Sequence, residues 1–264
     1  MSDVRCGVDG SIARIILAAP TRQNNLDWPM ISAMNEFVRE VVKSETARLL
    51  VIEAEGNDFC DGDCWPDMGE WPKEYAHRKP GGSHGIPPIP LIDLLSDLRS
   101  IRIPTIAILQ GKVSDVGLDL ACHCDIRLAA DTAIFQDRRV EKARFSATGI
   151  TYVLPRLIGL SNAARLLMFG ERIDAVEAAR IGLVYKTVGA DRLQQGAQTL
   201  IESVSGMATR SFGLVKQQVI EQLDMNYRTA LMHSMAVRQT NIFEDREEGQ
   251  RAFLEKRPPQ YTGR

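Results

Sequence analysis

The sequence predicts a mixed α/β fold whose last third is helical, and three observations predict it. The first is alternation in the N-terminal half. IARIILAA and ARLLVIEAE read as strands, being runs of β-branched and apolar residues, on either side of the helical stretch WPMISAMNEFVREVVKS. The second is a cassette between Ile103 and Gly159. IPTIAILQG is an apolar strand ending at Gly111, KVSD is a short polar bend, and VGLDLACHCDIRLAA, small and apolar from Val116 to Ala130, reads as a buried helix. The third is the helical pattern from Ser161 onward, through SNAARLLMFG, DAVEAARIG and the long stretch from Asp191 to Glu255. These divide the chain into a core over 1–190 and a helical region over 191–264. Residues Pro66 to Pro90 break the pattern with Pro, Gly, aromatic and charged residues and read as a mobile loop with room for one short helix.

With 264 residues, 44% of them hydrophobic and 25% charged, the chain has enough material for one soluble domain with a large core. A net charge of −2 supplies no global basic field for nucleic acid or a membrane surface. No apolar run reaches membrane-spanning length, and MSDVRCGVDG lacks the basic and apolar regions of a signal peptide. Five cysteines, an odd number, argue against a disulfide framework and for a reducing compartment, so a cytoplasmic protein is expected. Cys60 and Cys64 share one loop, while Cys122, His123 and Cys124 are adjacent. Neighbouring helical positions diverge and the spacing is not that of a zinc site, so no metal is expected and buried small hydrophobes are the default.

A helix opening near Val116 aims unpaired N–H groups, and the positive end of its dipole, at whatever precedes it. Such groups can hold a negative oxygen. Around this cassette, further segments fall in a recognisable order: PTRQNN (Pro20 to Asn25), NDFCDGDCWPDM (Asn57 to Met68), LPRLIGLSNAARLLMFGERIDAVEAARIGLV (Leu154 to Val184) and the closing FEDREEGQRAFLEKRPPQYTG. Together they resemble the enoyl-CoA hydratase/isomerase (crotonase) superfamily over nearly the whole chain. The resemblance implies a spiral of ββα repeats, with residues 66–90 as a variable loop over the acyl pocket and a C-terminal trimerisation region. It also implies a homotrimer or dimer of trimers. The substrate would be a small-molecule acyl thioester, on coenzyme A or a carrier protein, with coenzyme A as part of the substrate and no covalently bound cofactor.

The chemistry behind that implication is charge development. A thioester oxygen becomes negative when its α-carbon is deprotonated or when a nucleophile adds at the β-carbon, and two backbone N–H donors lower both barriers; one such donor is worth roughly 3 kcal/mol. By position in the family these are the amides of Asp63 and Val116. The family's glycine run falls on Asp115, Val116 and Gly117, of which only Gly117 is glycine, so with the stiffer Val116 either the turn is reached at negative φ or the hole is altered.

The two catalytic glutamates of the family's hydratases fall on Asp119 and Arg139. Asp119 keeps the carboxylate with one methylene less reach. Arg139 cannot act as a base. It would either hold a substrate carboxylate or β-oxygen, or form a salt bridge to Asp119 or Asp137. Asp137 and Glu141 are candidate substitutes for the missing carboxylate, Glu141 only with a changed backbone course. In the loop, His77 and His84 are candidate acids or bases, although a loop histidine is more often solvated. Trp65, Trp71 and Tyr75 would line or lid the acyl site. His123 reads as a packed residue, and His233 lies on a C-terminal helix.

For coenzyme A, the resemblance places Arg22 at the phosphates and the backbone of Asp61 near the adenine, with Gly62, Trp65 and Gly117 as further candidates for binding the substrate. Lys256 and Arg257 would reach the phosphates of a neighbouring subunit's ligand. The expected function is hydration or dehydration of an enoyl-CoA-type substrate through a stabilised enolate. Isomerisation, decarboxylation and retro-Claisen hydrolysis of a β-dicarbonyl are the alternatives, and a non-catalytic acyl-CoA-binding scaffold is the alternative from another class.

Overall fold

Alternating apolar residues build the first hairpin. Strand β1 (Val4–Asp9) pairs antiparallel with β2 (Ile12–Leu17), with Val4 opposite Leu17, and Ala13, Ile15 and Leu17 of β2 face inward. The computed structural model describes residues 3–64 and 90–263. Helix α1 (Trp28–Lys43) starts where the Asp27 carboxylate accepts the Met30 N–H at 2.9 Å, with Pro29 in its first turn. Its Met30, Ile31, Met34, Val38 and Val41 spacing buries one face. Strand β3 (Leu49–Ala54) follows, then α2 (Pro90–Ser100) and β4 (Thr105–Leu109). Every β4 side chain is buried, as befits a central parallel strand covered on both faces.

Next come β5 (Lys112–Ser114), α3 (Val116–Cys122), β6 (Ile126–Ala130) and β7 (Ile134–Gln136). They are followed by α4 (Ile150–Ile158), α5 (Leu160–Leu167), β8 (Ile173–Asp174), α6 (Ala175–Arg180) and β9 (Lys186–Val188). The chain ends in α7 (Leu193–Ser205), α8 (Thr209–Glu221), α9 (Tyr227–Thr240) and α10 (Glu244–Glu255).

Six strands form one sheet in the order β1-β2-β3-β4-β6-β9, parallel from β2 onward; β5, β7 and β8 form a second. Parallel bridges of Leu26 to Asp63 and of Cys60 to Val113 continue the second sheet backward through the chain. Successive turns therefore contribute a strand to the long sheet and then a strand or bridge to the short one. This is the spiral, and it stacks the loops carrying Leu26, Cys60–Cys64 and Ser114 on one another.

Three sequence readings are corrected here. KVSD is not a bend: Lys112–Ser114 pairs with Ile134–Gln136 as β5. The buried helix ends at Cys122 instead of running to Ala130. A continuous apolar run does not distinguish helix from buried strand by periodicity, and the break is made by tertiary contacts. Arg127, itself buried, donates to the carbonyls of Ala121 and Cys124 at the end of α3 and to Leu183. The Asp125 carboxylate accepts from the Thr105 N–H and from Lys216. The helical region also begins earlier than Ser161, at Ile150.

Helix α9 buries none of its own side chains, and Leu231, Met232 and Met235 along it are exposed. The tail folds back onto α10, where Asp245 accepts from the Thr262 and Gly263 amides. Among the described residues, no helix is long and apolar enough to cross a membrane. Trp65, Trp71, Tyr75, His77 and His84 lie outside the described residues.

Candidate active site

Loop 60–64 and the start of α3 meet because both are tied to β5. The Cys60 N–H donates to the Lys112 carbonyl and the Ser114 N–H to the Cys60 carbonyl. A Cβ on Gly117 would lie 2.5 Å from the Cys60 carbonyl oxygen, so only glycine allows this approach. That is why Gly117 survives when its neighbours do not.

Leu26 exchanges backbone bonds with the residues on either side of Asp63, accepting from the Cys64 N–H and donating to the Gly62 carbonyl. The Asp63 amide is left facing away from Leu26. Among the described residues, neither the Asp63 N–H nor the Val116 N–H donates to any acceptor, the latter because it opens α3.

Val116 stays at negative φ, and the turn's strain falls on Asp115, at φ 50° and ψ −115°. This is a glycine conformation held by an aspartate. Its carboxylate accepts the Arg138 N–H at 2.6 Å and the Lys142 ammonium at 3.2 Å, which fixes the residue there. Replacing Asp115 by Ala is expected to cost about 1–2 kcal/mol more than replacing it by Gly, since both lose these bonds but only Gly sheds the strain. Urea unfolding of the two variants measures the difference; equal costs would mean that the turn is unstrained.

Asp119, one turn into α3, is fully buried. Its Oδ2 accepts Arg139 Nη1 at 2.7 Å and the Thr148 hydroxyl at 2.7 Å, and its Oδ1 accepts Arg139 Nη2 at 2.8 Å. Arg139 also donates through Nε and Nη2 to Asp137, at 3.0 and 2.6 Å. The guanidinium is thus engaged by two protein carboxylates and is not presented to a ligand. The same two carboxylates hold it above its already high value, so it stays charged. Burial pushes the Asp119 carboxyl above its ordinary range, against the pull of Arg139 and Thr148. With both acids ionised the cluster carries one net negative charge in a buried setting, which suits a group that must accept a proton.

Glu141 is not brought to this cluster. It is exposed on a short 3-10 turn (Val140–Lys142), against Gly170. Asp61 and Asp63 are offset by cations: Asp61 by Lys112 at 3.2 Å and Arg138 at 2.9 Å, Asp63 by a bidentate Arg144 at 3.0 and 2.6 Å. The Asp61 N–H is taken by the Gln23 carbonyl. Gly62, at φ 124°, backs onto the Asp115 side chain. Arg22 bridges Asp3 and Asp27 at 2.8 and 2.7 Å and donates to the Cys64 sulfur. Lys256 caps α10 at φ 54° and is exposed on the far tail.

The cysteines are all free thiols. Burial pushes Cys60, Cys122 and Cys124 up to about 12, so they remain protonated. His123 is buried, which lowers its pKa, and its Nδ1 lies 2.7 Å from the Asp119 carbonyl; the neutral ring donates there. Among the described residues, no group of three metal-ligating side chains assembles. Sequence reading missed Asp115 as the strained residue, and it missed Thr148, Ser146 and Arg144 altogether.

The spiral stacks two backbone amides that donate to no acceptor among the described residues beside a buried carboxylate, an arrangement able to hold a negative oxygen. The family model for enoyl-CoA hydratase/isomerase matches residues 7–264, and the chain belongs to that family. It is similar to probable enoyl-CoA hydratase 2, mitochondrial, of Arabidopsis thaliana, at 29% identity over 97% of this chain and 83% of that one. To the mouse enoyl-CoA hydratase domain-containing protein 3, mitochondrial, it is 28% identical over 94% of this chain and 80% of that one. Among solved structures, a putative enoyl-CoA hydratase from Streptomyces coelicolor superposes with a TM-score of 0.89 at 26% identity, covering 100% of this chain and 95% of that one.

Proposed function

We propose that this protein adds water to, or removes it from, an enoyl thioester of coenzyme A. The Asp63 and Val116 amides hold the thioester oxygen as negative charge develops on it, and Asp119 moves the proton at the α-carbon. The observation that carries this reading is the pair of outward-facing amides with a buried carboxylate one helical turn beyond the second. Two donors of this kind contribute roughly 3 kcal/mol each to the enolate-like transition state.

Asp61 and Asp63 do not repel an anionic ligand in this reading, because Lys112, Arg138 and Arg144 offset them. Arg22 contacts the phosphates by exchanging its bridge to Asp3 for the ligand. The exposed apolar side chains of α9 support assembly into trimers, in which Lys256 serves a neighbouring subunit's ligand. Residues 1–190 carry the chemistry and 191–264 the assembly. The five free thiols support a reducing compartment such as the cytoplasm.

One observation favours a second reading, double-bond isomerisation. Arg139 stands where the family's hydratases place a second carboxylate and ties up Asp137, which leaves Asp119 as a single carboxylate to shuttle one proton.

Calorimetry of coenzyme A and crotonyl-CoA, followed by loss of the enoyl absorbance, tests the proposal. Binding with loss of absorbance is expected. Binding without it would favour isomerisation, and absence of binding would overturn a coenzyme A substrate.

A further inference from the structure

The Asp119 carboxylate hydrogen-bonds, among the described residues, with two side chains of different character. Arg139 never releases a proton at physiological pH. Thr148 carries a hydroxyl, which can accept one proton while passing on another. Thr148 Oγ1 in turn lies 2.6 Å from Ser146 Oγ, and the Thr148 N–H donates to that same Ser146 oxygen at 3.2 Å. Ser146 is half-buried and stands on the wall of an apolar cavity of about 290 Å3 between the Asp137–Ser146 segment and helices α4 and α5.

The hydrogen positions follow from the partners. Ionised Asp119 only accepts, so the Thr148 hydroxyl hydrogen points at Oδ2; the Ser146 hydroxyl hydrogen then points at Thr148 Oγ1. Each link is within 2.6–2.7 Å, and the row runs from a fully buried carboxylate to a residue that reaches solvent.

We propose that Ser146 and Thr148 form a proton relay that exchanges the Asp119 proton with solvent. Once Oδ2 has taken a proton from substrate it becomes the donor, both hydroxyls turn about their C–O bonds, and the proton passes to Thr148 Oγ1 as that hydroxyl hands its own hydrogen to Ser146 Oγ and Ser146 releases its hydrogen to water. Asp119 loses one proton, water gains one, and no electrons move. The groups facing the carboxylate are Arg139, which keeps its charge, Asp137, which lies beyond the guanidinium, and the neutral Cys122 thiol. His123 binds the Asp119 carbonyl, not its carboxylate. Thr148 is the one of these that offers an exit.

The relay rests on the enolate reading above, and the test separates the two. Butyryl-CoA is incubated with enzyme in D2O and deuterium at its α-carbon is read by mass spectrometry, with crotonyl-CoA hydration measured in parallel. During hydration the added water supplies the proton that reaches the α-carbon, so Asp119 is restored without the relay. During α-exchange it is not. Ser146→Ala is therefore expected to lower deuterium incorporation about 10-fold or more while hydration falls less than about 3-fold; Thr148→Val is expected to lower exchange at least as far, with Thr148→Ser restoring it.

Unchanged incorporation in both variants, or a wild type that hydrates without exchanging, overturns the relay alone. Exchange and hydration falling together overturns it in favour of simple positioning of Asp119. A wild type that does neither overturns the enolate reading and the relay with it. Ser146→Ala touches neither Asp119 nor the core, so the comparison stands even if Thr148→Val fails to fold.

Discussion

Replacing Arg139 by Met is expected to cost about 3–5 kcal/mol of stability at neutral pH, because it strands two buried carboxylates that share one cation. Arg139 is 3% exposed, and among the described residues it supplies all of the bonds to the Asp119 carboxylate except that from Thr148. The loss should depend on pH in a definite direction. Burial places the folded-state pKa of Asp119 above its ordinary value of 3.8, so the stability tied to the protonated form is present below that value and is lost as pH rises through the raised one. Arg139 opposes this rise, and its removal lifts the folded-state value further. The variant should therefore recover on acidification, as Asp119 takes up a proton and its repulsion with Asp137 ends. Urea midpoints of wild type and variant at about pH 7.5 and about pH 5, the latter roughly one unit above the ordinary carboxylate range, measure this. A deficit that does not shrink at the lower pH would show that the lost packing, not the charge, carries the effect.

Asp119→Asn is expected to lower turnover of crotonyl-CoA by about 10²–10⁴-fold, the range that a positioned acid or base contributes. Asn keeps the shape of the side chain and one acceptor, its NH2 replaces an oxygen that accepts from Arg139, and Asp137 still pairs the guanidinium. Some stability is therefore lost, while the variant is expected to fold and to bind coenzyme A. Steady-state kinetics with calorimetry on the same preparation separate the effects. A variant that binds and turns over like wild type would remove Asp119 from the chemistry and return the scaffold alternative to the front.

Much of the architecture was legible in the residues because it is written in local signals: strand runs bounded by turns, a helical stretch between two of them, and segments that follow one another in a recognisable order. What was not legible depends on contacts distant in the chain. The run from Val116 to Ala130 looks uniform, and it is split by Arg127 and by the Asp125–Thr105 pair. The Asp115 substitution advertises a changed turn, but the choice of Asp115 over Val116 to bear positive φ is made by Arg138 and Lys142, from a loop with no periodicity. Thr148 and Ser146 sit in that same irregular stretch, where spacing carries no information about what faces Asp119. Arg139 was readable as unable to act as a base; that it would bind both acids at once was not.

The charge pairs around the amides tie residues of loop 60–64 to residues more than fifty positions on. Asp63 sets its amide in place yet carries a charge within the same residue, and Arg144 balances that charge from the next turn of the spiral. Neither member can change alone without placing an unbalanced charge beside the proposed oxyanion site, whereas exchanging both together keeps the field. The route by which such a site drifts from its relatives therefore runs through linked double replacements, so that a residue acceptable in this chain would be harmful when transplanted singly into another. Kinship at the level of backbone and divergence at the level of side chains are two faces of that coupling.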